Sequence, residues 1–163
     1  MVAPTVIKLL EVEVLDLPLR VPFGISGGIQ SVANNVLVTL MLADGTYGHG
    51  EAAPLPAYNG ETQVQALNVL AEAGTAMRGR DAADWRALAR EFRRAGGAGC
   101  GAAQAAFETA VLDALTRQRA EPLWKFFGGA GTELETGMTV TTGTPAEAVD
   151  GVRDIHRRGI RLI

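Results

Sequence analysis

The chain of 163 residues has few of the side chains that most often carry chemistry. It contains one cysteine, two histidines and two lysines, and it has no His-x-x-x-His pair, cysteine cluster or nucleophile elbow. A lone cysteine forms no internal disulfide, which suits a reducing compartment, so we expect a cytoplasmic protein. His49 and His156 have no partner at metal-ligand spacing, so the residues themselves predict no metal site.

Two classes of partner are disfavoured by what is missing. The net charge is -3 and the arginines are scattered, whereas nucleic-acid binding usually requires a basic face. No apolar run approaches the roughly 20 residues of a membrane helix. Met1 to Lys8 leads directly into an alternating pattern with no secretory signal. We therefore expect neither a nucleic-acid partner nor a membrane.

The few reactive side chains present do not form a catalytic set. Cys100 lies between glycines at the start of an alanine-rich stretch, where a helix N-terminus could activate a thiol, but no base accompanies it. We therefore expect a buried structural cysteine. Lys8 and Lys125 have no charged or buried surroundings that would prepare them for acid-base work.

The first part of the chain alternates in a way that predicts β-strands. Pro18 and Pro22 are expected to end the first strand, and a glycine-rich loop follows at Phe23–Gly28. Asp44-Gly45 is a strong hairpin signal between the second and third strands. The result is an antiparallel meander of three strands, at Val6–Leu17, Asn35–Ala43 and Thr46–Ala52.

The apolar spacing then becomes helical, and capping residues mark the boundaries. The alanine-rich third helix is expected to be the most buried, because its small residues allow close packing. A glycine-rich link, Ala95–Gly101, precedes it. The predicted helices are Glu61–Arg78, Asp81–Arg94, Ala102–Arg119 and Leu123–Phe127.

After Gly131 the pattern becomes strand, helix, glycine, strand. A strand is predicted at Met138–Thr142, and Thr144, Pro145 and Glu147 form a capped helix start. The helix ends near Arg158, and Ile160–Ile163 begins another strand. This is one β/α unit, the repeat of a parallel barrel. The fold class is therefore α+β, with a cap at residues 1–130 and the truncated start of a TIM barrel at residues 131–163.

Three features could contact a ligand. Phe23–Gly28 is either a plain hairpin loop or a mobile lid with Phe23 and Ile25 as apolar contacts. Pro56–Glu61 is either a helix-entry turn or a second lid contact through Tyr58. Thr139 lies in the first barrel-like strand, and barrel active sites gather at strand C-terminal ends. A fourth feature, Gly48–Pro54, is better explained by Glu51 as a structural carboxylate.

An ordered series of motifs resembles the N-terminal domain of the enolase superfamily. The chain is most similar to the muconate cycloisomerase subgroup of the mandelate racemase/muconate lactonizing enzyme family, and Glu135–Val140 resembles the barrel entry of dipeptide epimerases. The series runs Val21-Pro22-Phe23, Asp44-Gly45, Gly48-His49-Gly50-Glu51-Ala52, Ala106–Ala114, Pro122-Leu123 and Phe127-Gly128-Gly129.

The resemblance implies a two-part enzyme in which a cap closes two lid loops over a barrel mouth. A Lys-x-Lys motif would remove the proton α to a carboxylate, and three acidic residues would hold Mg²⁺, which stabilises the enediolate. These residues are expected after Ile163, so the chain holds no catalytic or metal residue and should be inactive alone. The implied substrate-binding residues are Phe23, Ile25, Ser26, Tyr58 and Thr139.

The implied partners are a small dipeptide or carboxylate substrate and the remaining barrel, and we expect a homo-oligomer at full length. Mg²⁺-dependent dipeptide epimerisation is the first hypothesis. A cycloisomerase, an N-acylamino-acid racemase and a stand-alone binding or assembly module are the alternatives. Relatives that act on Ala-Glu often carry a basic residue in the first loop, but Ser26-Gly27-Gly28 has none. That departure favours a more apolar dipeptide.

Overall fold

The computed structural model describes residues 3–141 and 143–163. A single three-stranded antiparallel sheet organises the first part of the chain, in the order β1-β2-β3. The predicted meander is confirmed, with strands β1 Ile7–Ile25, β2 Gly28–Leu42 and β3 Tyr47–Ala52.

The first hairpin is longer than expected. β1 does not end at the prolines but runs through Pro18 and Pro22 to Ile25, and β2 begins at Gly28. Proline is tolerated because β1 is an edge strand, where a missing N–H costs no ladder bond, and the register shifts between Pro18 and Phe23. The predicted glycine-rich loop is thus the paired tip of a hairpin.

The second hairpin turns through three residues instead of the two that Asp44-Gly45 suggests. The Gly45 N–H donates to the Leu42 carbonyl at 3.0 Å, and the Leu42 N–H donates to the Thr46 carbonyl at 2.8 Å. Gly45 has a φ of 89°, which glycine adopts at little cost.

Helices follow the sheet. The predicted long helices are confirmed to within a few residues, and Gly97–Gly99, inside the predicted flexible link, forms a 3₁₀ turn. A short helix within the predicted second loop was not expected. The helices are α1 Pro56–Asn59, α2 Gln63–Met77, α3 Trp85–Arg94, α4 Gly101–Gln118, α5 Leu123–Phe126 and α6 Pro145–Arg157, and a 3₁₀ turn at Ala82–Asp84 precedes α3.

The core lies between one face of the sheet and the helices. α4 packs on β3 and β2, and its backbone comes so close that a Cβ on Gly50 would overlap the Ala106 carbonyl oxygen. The rings of Phe92 and Phe107 stack with centroids 4.5 Å apart, joining α3 to α4. The prediction that this alanine-rich helix is the most buried is consistent with its many fully buried residues.

Residues 131–163 are organised by α6 and have little core. Thr144 and Glu147 form the predicted capping box at its start. In the described residues, the two predicted strands are represented only by a single parallel bridge, from Gly137 to Leu162. Thr142, the last residue of the first predicted strand, lies outside the described residues. A regular strand needs a ladder, and one bridge does not supply it. None of the described helices combines the length and apolar character that crossing a bilayer requires.

Candidate functional site

The two predicted lid segments touch each other. We call the part of the β1–β2 hairpin beyond the Asp16–Asn34 pair, residues 17–33, the hairpin arm. Its tip lies on α1, because a Cβ placed on Gly27 would overlap the Ala57 carbonyl oxygen. A Cβ placed on Gly28 would lie 3.5 Å from the Ala57 methyl group, an ordinary contact distance. Only a glycine fits this approach without displacing backbone, so the arm and α1 are directly apposed.

A groove of about 420 Å³ lies between the arm and the segment that enters α1. We call it the loop groove. It brings together Phe23 and Ile25, both predicted as ligand contacts, and its walls are mostly apolar with two side-chain amides. The lining residues are Phe23, Ile25, Gly27, Gly28, Ile29, Gln30, Asn34, Leu55, Pro56 and Ala57.

A second groove, of about 650 Å³, lies between the other side of the arm and residues 137–158. We call it the Thr139 groove. Phe23 lines both grooves, so the structure places it in the same groove as Thr139, more than a hundred positions later in the sequence. The lining residues are Val21, Pro22, Phe23, Gly137, Met138, Thr139, Val140, Thr141, Glu147, Gly151, Asp154, Ile155 and Arg158.

Two of the five predicted contacts lie outside both grooves. Ser26 is exposed in the turn at the arm tip, and Tyr58 is 79% exposed on α1, directly after Ala57. Neither side chain lines a groove in the structure. Both remain accessible to a ligand or to another segment above the arm tip.

The charged groups of the Thr139 groove are engaged in local contacts. Asp154 pairs with Arg158 at 2.6 Å. Glu147 accepts hydrogen bonds from the Thr144 N–H and hydroxyl at 2.7 and 2.8 Å, and these hold the pKa of Glu147 below its usual value. The charged side chains of the groove thus have local partners, and Phe23, Met138 and Val140 add apolar surface beside them.

A polar cluster anchors the arm at its base. Asp16 accepts hydrogen bonds from the side-chain amides of Asn34 and Gln63, each at 2.8 Å, and these lower the pKa of Asp16. Asn35 is nearly buried, and its amide donates to Glu51. The prediction that Glu51 acts as a structural carboxylate agrees with this contact.

Cys100 and Glu61 meet at the N-terminus of α4. Cys100 is fully buried, as predicted, and burial raises the pKa of its thiol, so the nucleophile alternative has no support. Burial also opposes ionisation of Glu61, but hydrogen bonds from the Ala102 and Gly101 N–H groups, at 3.0 and 2.7 Å, outweigh it and lower the pKa of Glu61. The carboxylate thereby caps the helix.

Three side chains of the types used in acid-base chemistry, Lys8, Lys125 and His49, do not line either groove. Lys8 and Lys125 are both exposed, and the His49 imidazole contacts the Thr39 hydroxyl on the open face of the sheet. In the described part of the chain, no group of three or more His, Cys, Asp or Glu side chains could hold a metal ion. These described residues therefore offer no ligand set for a divalent cation.

Several lining residues were missed at the level of sequence. Ile29, Gln30 and Asn34 face the loop groove because β2 starts earlier than predicted, and Leu55 and Ala57 do so because α1 meets the arm tip. The run Ile29-Gln30-Ser31-Val32-Ala33 does not alternate regularly between apolar and polar residues, so it gave no strand signal that could reveal the pairing.

Comparison with known proteins identifies the family to which this fold belongs. The model of the mandelate racemase/muconate lactonizing enzyme N-terminal domain matches residues 9–128. The chain belongs to this family. The resemblance drawn from the ordered motifs is thereby confirmed, as is the fold class of a three-stranded sheet with helices.

Named members of the family resemble the chain along most of its length. An aromatic dipeptide epimerase of Herpetosiphon aurantiacus is 44% identical over 98% of this chain and 45% of its own. A hydrophobic dipeptide epimerase of Citrifermentans bemidjiense is 34% identical over 91% and 41%. The crystal structure of a Cytophaga hutchinsonii dipeptide epimerase, complexed with Mg and D-Ala-L-Val, superposes with a TM-score of 0.84 at 29% identity, over 93% of this chain and 41% of that one. The chain spans less than half the length of each relative.

Proposed function

We propose that this chain is the substrate-binding N-terminal part of a dipeptide epimerase, which removes and returns the proton α to a carboxylate. Family membership supports the class of enzyme, and the three relatives described above bear the name of this activity. The observation that carries the proposal is the Thr139 groove, where the hairpin arm and the segment after Gly137 form one surface.

The two parts of the chain would have different roles in the enzyme. Residues 1–130 would act as the cap, and residues 131–163 would begin the barrel. The single parallel bridge between Gly137 and Leu162, joined by a connecting helix, supports this division because parallel strands require such a crossover. The base and the Mg²⁺ ligands would belong to residues outside this chain, since its described residues do not fit a metal.

An apolar dipeptide is the substrate class that the grooves favour. Phe23 stands between them, and Ile25, Leu55 and Met138 extend the apolar lining on either side. Arg158, the basic residue in the Thr139 groove, already pairs with Asp154, so an acidic substrate side chain would compete with that ion pair. Ser26 and Tyr58 would contact the substrate from the arm tip and α1.

The test is α-proton exchange by protein of the full length typical of the family. In D₂O with Mg²⁺, we expect deuterium to enter the α-carbon of apolar and aromatic L,L-dipeptides faster than that of Ala-Glu. Phe23→Ala should raise KM more than it lowers kcat, because it removes a binding surface that the ground state and transition state share. Leu17→Ala, a change of an exposed residue in the arm that lines neither groove, serves as the matched control.

Four outcomes would contradict the proposal. Exchange restricted to N-acylamino acids would indicate the racemase alternative, and turnover of a muconate without dipeptide exchange would indicate a cycloisomerase. Exchange catalysed by the 163-residue chain alone would show that a base and metal site exist within it. Absence of any turnover at full length would favour a binding or assembly module.

A further inference from the structure

The hairpin arm is attached to the helical layer at its base. Gln63, in the first turn of α2, donates to the Asp16 carboxylate and to the Asn35 carbonyl oxygen, each at 2.8 Å. Asp16 and Asn34 are cross-strand partners, and the Asn34 amide donates to the same carboxylate oxygen. One glutamine therefore bonds both strands where the arm begins.

The arm has little other support between this base and its tip. Within residues 17–33, Gly24 alone is buried, and hydrophobic side chains such as Val21 and Ile29 are 70% and 77% exposed. A two-stranded ribbon without a packed face is marginal in water. Its position must therefore depend on the contacts at its two ends.

The tip contact reaches the same segment as the base contact. Gly27 lies on the Ala57 carbonyl group, and Ala57 is separated from Gln63 by only five residues. α1 and its cap are fixed locally, since the Tyr58 and Gly60 N–H groups donate within the turn at 2.9 and 3.1 Å. Both ends of the arm are thus tied to one short stretch of chain, residues 55–63.

We propose that the hairpin arm and residues 55–63 form one mechanical unit, in which Asp16 and Gln63 are positioning residues and Gly27 is the contact at the tip. The loop groove is then formed before a ligand enters, and its two walls move together. A preformed groove spares a ligand the cost of ordering two separate loops. Its role in substrate selection rests on the proposed function, but the coupling itself does not.

Amide hydrogen exchange of the 163-residue chain tests the coupling without any substrate. Gln63→Ala should accelerate exchange in peptides from residues 17–33 and from residues 54–60 together, by about tenfold, because a lost hydrogen bond of this kind is worth a factor of that order. Gln65→Ala is the matched control. It removes a side-chain bond from the same helix turn to the Gly99 carbonyl, away from the arm, and should leave both peptides unchanged.

A conservative variant separates positioning from a general loss of stability. Asp16→Asn keeps a side-chain oxygen that accepts from Asn34 and Gln63, so its exchange should stay within about twofold of the parent, whereas Asp16→Ala should behave like Gln63→Ala. At the tip, Gly27→Ala should accelerate amide exchange in the same two sets of peptides. Gly131→Ala, where an added methyl group meets nothing within 4 Å, should leave the exchange rates of both sets unchanged.

Acceleration in the arm alone, in residues 54–60 alone, or in neither would overturn the proposal, because each outcome means that the two walls move independently. Equal effects of Asp16→Asn and Asp16→Ala would also overturn the positioning role. These measurements involve no catalysis, so their failure would leave the proposed epimerase activity untouched, and absence of that activity would leave the coupling untouched.

Discussion

The helix-facing side chains of β2 and β3, such as Val36, Val38, Leu40 and Ala52, are withdrawn from water. Among the described residues of 131–163, by contrast, Ile155 alone is buried. The first region is shaped by packing between distant segments, such as α4 against β3. In the second region, α6 is stabilised by local interactions: a capping box, a proline in the first turn and ion pairs along the helix. One chain thus contains a tertiary core and a locally specified helix.

The largest effect is expected where the core is tightest. Gly50→Ala would place a methyl group into the Ala106 carbonyl oxygen of α4, and neither backbone can move without opening the core. We expect a loss of more than about 4 kcal/mol in the free energy of unfolding, which approaches the total stability of a small domain. Thermal and urea unfolding measure it.

Gly99→Ala is the control for this substitution, since an added methyl group there meets nothing within 4 Å. If Gly50→Ala is as stable as Gly99→Ala, the close approach of β3 and α4 is wrong, and with it the view that packing between distant segments fixes this region.

A second prediction concerns the stacked rings of the core. Phe107→Ala should cost about 3 kcal/mol, since it removes a fully buried ring and leaves a cavity against Phe92. Val149→Ala on α6, a residue that is 49% exposed, should change the free energy of unfolding by less than about 0.5 kcal/mol. Equal losses in urea denaturation would remove the contrast between the two regions.

The contrast between local patterns and contacts of distant segments explains which elements could be predicted from the sequence. The helices and the meander follow local patterns, such as the spacing of Leu88 and Phe92 or the capping residues around Thr144, and these predicted their elements closely. The passage of β1 through Pro18 and Pro22 depends on β1 being an edge strand, which is a property of the whole sheet.

The grooves were harder to predict because their walls come from distant parts of the chain. Phe23, Ile25 and Thr139 were selected as ligand contacts from loop position and family resemblance, and the structure places all three in grooves. The meeting of Gly27 with Ala57 depends on how far the arm extends and on the short helix α1, and no local pattern encodes either.

A third, smaller effect is expected at the N-terminus of α4, where a charge supports the core. Glu61→Gln should cost about 1 kcal/mol at pH 7, because the ionised carboxylate faces the helix N-terminus and accepts from Gly101 and Ala102. Since the folded pKa of Glu61 is lowered, this stabilisation is present above the unfolded pKa and is lost as the pH falls through the folded value. Urea denaturation at several pH values measures the difference.

The matched control is Glu72→Gln, an exposed carboxylate on α2. We expect that variant to follow the parent at every pH. A difference between Glu61→Gln and the parent that persists unchanged at pH values well below the folded pKa would show that the effect does not depend on the charge.

The smallest effect should have the opposite sign and appear only in the locally specified helix. Gly151 lies inside α6, and an added methyl group would make an ordinary contact, 3.7 Å from a Val140 methyl carbon. Gly151→Ala should therefore stabilise α6 by about 0.5–1 kcal/mol, since alanine loses less backbone entropy in a helix. Amide exchange should slow by about threefold within residues 145–157, whereas the urea midpoint of the sheet and α4 stays the same. A glycine-to-alanine substitution would then destabilise the first region, at Gly50, and stabilise the second, at Gly151. A midpoint that rises together with the protection of α6 would instead mean that the two regions unfold as one cooperative unit, and that the few contacts of Ile155 are enough to couple them.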